Sequence, residues 1–325
     1  MKWFLLVAAA LGLLLAIGFI VHEGFAAVAE AFTTVGWGLA VVVLLRAAEI
    51  AGAGIGWWCI FPGSRPTLTT CVNVRFVREA INTLLPVAQI GGEIAGARLM
   101  TFHGIPGGLA GATVLVDMLL QVVTQFTFTL IGISLLALSG GNTALLASIV
   151  AGAVGMAIAL LGFFSVQRFG GFRWVDRGLM KLAKSSGWSA LAGVANIHDH
   201  LELIYAAWPR LAAASTVHLG VWFVGTLEIY VALNLMGYPV SFADALVIES
   251  LSQAVRAAAF LVPGAFGIQE GGFIAMCAVF AIPGPAALAL SLVKRVPELV
   301  LGLPYLVVWQ AYEGRALIRR RRAAP

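Results

Sequence analysis

Apolar runs of about 20 residues, the length that crosses a hydrocarbon core as helix, recur along the whole of this 325-residue chain. They cover 3–21, 37–61, 107–138, 144–164, 211–236 and 286–311, and each reads as a full span. Two further stretches, 67–100 and 242–282, are helical in pattern but are broken by Pro and Gly and carry several charges. The runs are continuous, as in the uncharged stretch 144–164, which disfavours the alternating strands of a porin-like barrel. The expected fold is all-α. It is a polytopic membrane protein with about six full spans plus two inverted re-entrant helical hairpins, in a single membrane domain over 1–325.

Composition supports the bilayer as the main solvent. The chain is 61% hydrophobic with a mean hydropathy of +0.97. Its charged fraction is 11%, against roughly 25% in soluble domains, which excludes a soluble protein. Lys2 before the first run and the small residues Ala27, Val28 and Ala29 after it imitate a secretory signal. The run is nonetheless long enough to span, so a retained first helix is expected. Cys59, Cys71 and Cys277 have no CxxC spacing, and no disulfide or metal site follows from them.

Lys and Arg favour cytoplasmic loops, and their distribution orients the chain. Fourteen of the twenty lie at the N-terminus, at Arg65 and Arg98, along 167–210, and in the tail with its Arg319 to Arg322 run. The opposite connections, 22–36, 139–143 and 237–241, contain none. Both termini are therefore expected in the cytoplasm. The segment 167–210 mixes Trp and Leu with basic residues and reads as amphipathic helix on the cytoplasmic surface, in contact with anionic lipid headgroups. Its His198, Asp199 and His200 suggest a metal, but histidines at i, i+2 do not share a helix face, so no metal or cofactor is expected. Nucleic acid is not an expected partner of so membranous a chain.

The remaining six basic residues, Arg46, Arg75, Arg78, Arg256, Lys294 and Arg295, fall inside membrane segments. So do eight acids, Glu49, Glu79, Glu93, Asp117, Glu228, Glu249, Glu270 and Glu298. Each charge costs roughly 2.5 to 3.5 kcal/mol at a helix centre on insertion scales, so these groups should face one another or water. Arg46 with Glu49 and Arg295 with Glu298 stand at i, i+3 and can neutralise each other locally.

The two broken stretches resemble one another. In each, an apolar pair leads into a proline, Pro86 or Pro263, and a glutamate, Glu93 or Glu270, follows seven residues later. An arginine, Arg78 or Arg256, stands upstream. Proline removes a backbone donor, so each stretch should be two short helices joined by irregular backbone. Such backbone is tolerated at membrane depth only inside protein or along a wet cavity. The loop charges place the two hairpins on opposite faces, as in transporters built from inverted repeats with a midplane site. The repeat-like halves are about 37–138 and 211–311, joined by span 144–164 and segment 167–210. Candidate substrate-binding residues are Arg75, Arg78, Asn82, Gln89, Glu93, Gln253, Arg256, Gln269, Glu270 and Arg295. The arginines would hold an anionic or hydroxylated headgroup, with Glu93 and Glu270 as counter-charges or proton carriers.

At these residues the chain resembles the flippase-like membrane domain of the lysylphosphatidylglycerol synthase superfamily. The resemblance is carried by Arg78 to Glu93, with Asn82, Pro86, Gly91 and Gly92, and by Pro263 to Glu270 followed by Ala287 to Ser291 and Arg295. The tail, with Lys294, Arg295, Gly302, Pro304, Trp309 and Gln310, is similar to the hopanoid-biosynthesis-associated membrane proteins. The resemblance implies a bacterial inner-membrane protein that handles lipid. Full-length aminoacyl-lipid synthases add a soluble catalytic domain, and the short tail after 311 leaves an expectation of no transferase activity. A lipid flippase or transporter leads. A headgroup-modifying membrane enzyme is the alternative, although no nucleophile elbow, metal helix or phosphate loop is present to serve it. A third reading is a non-catalytic partner of lipid-biosynthetic enzymes. Oligomeric state is not indicated by the sequence.

Overall fold

The computed structural model describes residues 25–63, 66–85, 90–138, 143–168, 196–258, 265 and 267–323. Among them every regular element is a helix. In order these are α1 (Phe25–Thr34), α2 (Gly38–Ile60), α3 (Leu68–Leu84), α4 (Gly91–Phe102), α5 (Gly107–Leu138), α6 (Thr143–Arg168), α7 (Ile197–Ala206), α8 (Trp208–Leu235), α9 (Phe242–Ala258), α10 (Ile268–Val279) and α11 (Gly284–Ala323). Among the described residues, α2, α5 and α8 are long and apolar enough to cross a membrane. The chain is thus a polytopic helical membrane protein. The run expected at 144–164 lies in α6. That expected at 286–311 lies in α11, which is long but interrupts its apolar character with Lys294, Arg295 and Glu298. The first run, 3–21, and most of segment 167–210 lie outside the described residues.

Both broken stretches are pairs of short helices. α3 ends at Leu84 and α4 starts at Gly91; α9 ends at Ala258 and α10 starts at Ile268. Pro86 and Pro263, which carried the expectation, lie outside the described residues. α3 starts where Thr67 Oγ1 accepts from the Thr70 N–H at 3.2 Å, an N-cap just after Pro66.

The packing pattern is unchanged when the two halves are exchanged. α2 packs on α8. Within the halves, α3 lies against α2 and α4, and α4 against α5; likewise α9 lies against α8 and α10, and α10 against α11. Across the halves, α5 covers α9 and α11 covers α3. The symmetry reaches further than 37–138 and 211–311, because α1 packs on α11 as α7 packs on α5. The part of 167–210 that is described is therefore not simply a surface helix. Ile197, Leu201 and Ile204, at i, i+4 and i+7, bury one face of α7 against the body.

α2 and α8 run antiparallel: a Cβ on Gly38 would meet Leu235, one on Gly52 would meet Val221, and one on Gly56 would meet His218. Two apolar clusters form at opposite ends of these long helices. One gathers the end of α8 with α9, α10 and the start of α11, including Ile229, Ile248, Phe273 and Leu290. The other gathers the end of α2 with α3, α4, α7 and the start of α5, including Trp57, Val77, Leu99 and Ile204. One short-helix pair sits in each cluster, and the charged residues form a layer between them.

Candidate functional site

That layer surrounds a cavity of about 280 Å³. Its wall takes Arg46 and Glu49 from α2, Arg75, Glu79, Asn82 and Thr83 from α3, and Glu93 from α4. Gln121 and Gln125 come from α5, His218 and Trp222 from α8, and Glu249, Gln253 and Arg256 from α9. Both signs of charge thus face one space, with amides between them. Burying such charges is tolerable only when each is paired and hydrogen-bonded.

In the first half the pairing is a continuous chain. Arg46 joins Glu49 at 2.5 Å and Glu79 at 2.6 Å. Glu79 also faces Arg75 at 3.5 Å, and Arg75 donates to Gln121 at 2.9 Å. Arg75 and Arg78 share the fully buried Asp117, at 3.5 Å and 2.9 Å. Arg78 then pairs with Glu93 and lies over the Trp57 ring, 4.6 Å from its centroid. Glu93 occupies the first turn of α4, where the helix N-terminus favours an acid. Asn82 braces this corner, donating to Glu93 at 3.3 Å and accepting from the Gly92 N–H at 2.8 Å. A Cβ on Gly92 would stand 2.2 Å from the Arg78 carbonyl oxygen, so this close approach of α4 to α3 requires glycine.

In the second half, Lys294 is held by Glu249 at 3.0 Å and Glu228 at 3.3 Å, all three buried. Glu270 in the first turn of α10 accepts from the Gly267 N–H at 2.7 Å and pairs with Arg295 at 2.8 Å. Arg295 reaches Glu298 at 3.7 Å, and Glu298 reaches Arg256 at 3.2 Å. Around the cavity, every Arg or Lys ion pair described lies within one half. The link across is His218 to Asp117 at 3.0 Å, and at the rim Arg98 to Glu313 at 2.7 Å.

Equal sequence separations relate Glu93 to Glu270, Glu79 to Arg256, Asp117 to Lys294, and Gln121 to Glu298. Equivalent positions in the repeat therefore carry opposite charge at two of these pairs.

Of the sequence candidates, Arg75, Asn82, Glu93, Gln253 and Arg256 line the cavity. Arg78, Gln269, Glu270 and Arg295 stand behind its wall, and Gln89 lies outside the described residues. The local pairs Arg46 with Glu49 and Arg295 with Glu298 both form. Sequence reasoning missed Gln121, Gln125, His218 and Trp222, and did not place Arg46, Glu49, Glu79 and Glu249 at the site. A polar residue inside an apolar run was the available signal: His218 and Gln121 each stand in a span otherwise fit for lipid. His198 on α7 is buried beside Glu202 at 3.1 Å, away from the cavity lining.

Among curated proteins and among solved structures, none matches the chain. The family described as the lysylphosphatidylglycerol synthase TM region matches residues 4–304, which include both short-helix pairs and the whole charged layer. A membrane protein of the lipid-modifying or flippase-like type, this chain belongs to the lysylphosphatidylglycerol synthase TM region family.

Proposed function

We propose that the chain moves a polar-headed lipid, of hopanoid or related type, across the bacterial inner membrane. The observation that carries this reading is the cavity of about 280 Å³ walled by Arg46, Arg75, Arg256 and four carboxylates, between two halves of exchangeable packing. A headgroup can shed water into such a site while its acyl tails stay in the bilayer. The short-helix pairs act as re-entrant hairpins from opposite faces, the arrangement that puts transport sites near the midplane of inverted repeats. Both termini lie in the cytoplasm, as the loop charges imply. Anionic lipid contacts the basic tail, lipid-biosynthetic enzymes deliver or take the substrate, and the chain itself performs no covalent chemistry.

The deciding experiment places purified protein in liposomes with fluorescent phosphatidylglycerol in one leaflet. Movement of unmodified lipid supports the proposal. Conversion of the lipid by purified protein would favour the headgroup-modifying enzyme instead. For topology, cysteines placed at 185 and 323 should escape an external label and one at 140 should react; the reverse pattern would invert the orientation.

A further inference from the structure

Every cavity arginine already holds a carboxylate, so a bound anion has to take an arginine from one. We infer that Glu79 occupies the seat of a phosphate anion between Arg46 and Arg75, and that the anion displaces it with uptake of one proton. The inference rests on reading the cavity as a headgroup site, and it names the chemistry of the ligand and its coupling.

Glu79 presents its two carboxylate oxygens to two guanidinium groups on the cavity wall, Oε1 to Arg46 at 2.6 Å and Oε2 to Arg75 at 3.5 Å. That is the geometry of a phosphodiester or phosphomonoester held by two arginines, with a carboxylate standing in for the phosphate. Its side chain is 21% exposed, against 11% for Glu93 and 8% for Glu49, so it is the carboxylate of this chain that water reaches most readily. Arg75 keeps Asp117 and Gln121 when Glu79 leaves, and Arg46 keeps Glu49, so neither arginine loses its place. On the far side of Glu79 lies a second cavity of about 10 Å³, roughly one water, shared with Arg46, Thr83 and Glu298. The displaced side chain has this polar space beside it.

Charge balance supplies the proton. Eight carboxylates surround the cavity region against six Arg and Lys side chains, with His218 beside Asp117. A further anion in this low-dielectric layer finds no cation to spare unless a carboxyl becomes neutral. The groups facing Glu79 fix which one. α2 gives Arg46 and Glu49, α5 gives Asp117 through Arg75, and α4 gives Glu93, already engaged by Arg78. α9 gives Arg256 and α11 gives Glu298, paired with each other. Once both arginines turn to the phosphate, Glu79 keeps no cation of its own, and Glu298 across the small cavity disfavours a second negative charge there.

The test uses full-length protein in detergent and dihexanoyl phosphatidylglycerol, titrated calorimetrically at one pH in two buffers of different ionisation enthalpy. The expected result is uptake of about one proton per lipid, with affinity falling about tenfold per unit rise in pH. Glu79→Gln should bind about tenfold tighter and take up none. Glu79→Asp, a carboxyl one methylene further from Arg46, should bind tighter than wild type and still take up a proton, which decides the matter if the Gln variant does not fold. Wild-type binding without proton uptake, or uptake that persists in Glu79→Gln, overturns this inference and leaves the headgroup site standing. No binding of the lipid at any pH overturns both. Inorganic phosphate, titrated in parallel, identifies the source: phosphate binding with proton uptake but no lipid binding keeps the seat and removes the lipid.

Discussion

The two short-helix pairs share one local device and use it differently. Each places a glutamate in the first turn after the break, Glu93 on α4 and Glu270 on α10, and each glutamate takes an arginine. Glu93 takes Arg78 from the preceding short helix and still lines the cavity. Glu270 takes Arg295 from the following long helix, is 2% exposed, and reaches the cavity only through Arg295, Glu298 and Arg256. Position in the repeat therefore does not fix role. What a glutamate can do is set by whether water reaches it, because solvation decides whether its arginine survives the loss.

The largest effect should come from the inverted-charge pair. Lys294→Met leaves Glu228 and Glu249 buried without their cation and should cost about 3 to 5 kcal/mol, read as a large drop in thermal stability in detergent. A variant as stable as wild type would show that those acids carry protons in place of the lysine. Next, Glu270→Gln should lower stability by about 1 to 3 kcal/mol, since Arg295 loses a charge-assisted partner in a dry site. Glu93→Gln should keep near-normal melting and lose lipid movement in proteoliposomes. If the two variants melt alike, the contrast between the pairs fails. Gly92→Ala should cost about 1 to 3 kcal/mol by forcing α4 off α3, whereas Ala at Gln269, the equivalent position, meets no such backbone contact. The smallest effect belongs to the rim: Arg98→Ala removes a pair with Glu313 whose side chains are 41% and 20% exposed, worth no more than about 1 kcal/mol.

Much of this architecture was legible as hydropathy. The runs at 37–61, 107–138 and 211–236 correspond to α2, α5 and α8 because lipid-facing helices need apolar residues on most sides, so no periodicity has to be resolved. The two breaks were legible through Pro and Gly. The short helices α1 and α7 were not, since ten residues with mixed polarity resemble a loop until a partner such as α11 or α5 buries one face. The site was half legible. Intramembrane charge singles out Arg75, Glu93 and Arg256, but nothing in one sequence says that Glu270 turns to Arg295 while Glu79 turns to the cavity. Side-chain pairing across 30 or more positions, as in Arg46 with Glu79, is a property of the packed halves.

The division of ion pairs between the halves has a mechanical meaning. Two bodies that shift against each other must break whatever crosses the seam. Here the crossing polar links around the cavity are few: His218 to Asp117, the Gln125 amide on the Gln253 carbonyl at 2.9 Å, and Trp222 on Thr124 at 3.2 Å. A rocking motion along the antiparallel contact of α2 and α8 would open those and leave each Arg and Lys around the cavity with its own carboxylates. Arg98 and Glu313 would then act as an external latch, weak enough to release and placed where water can take over both charges. The costly electrostatics are contained within the moving parts, so the seam between them is cheap to slide.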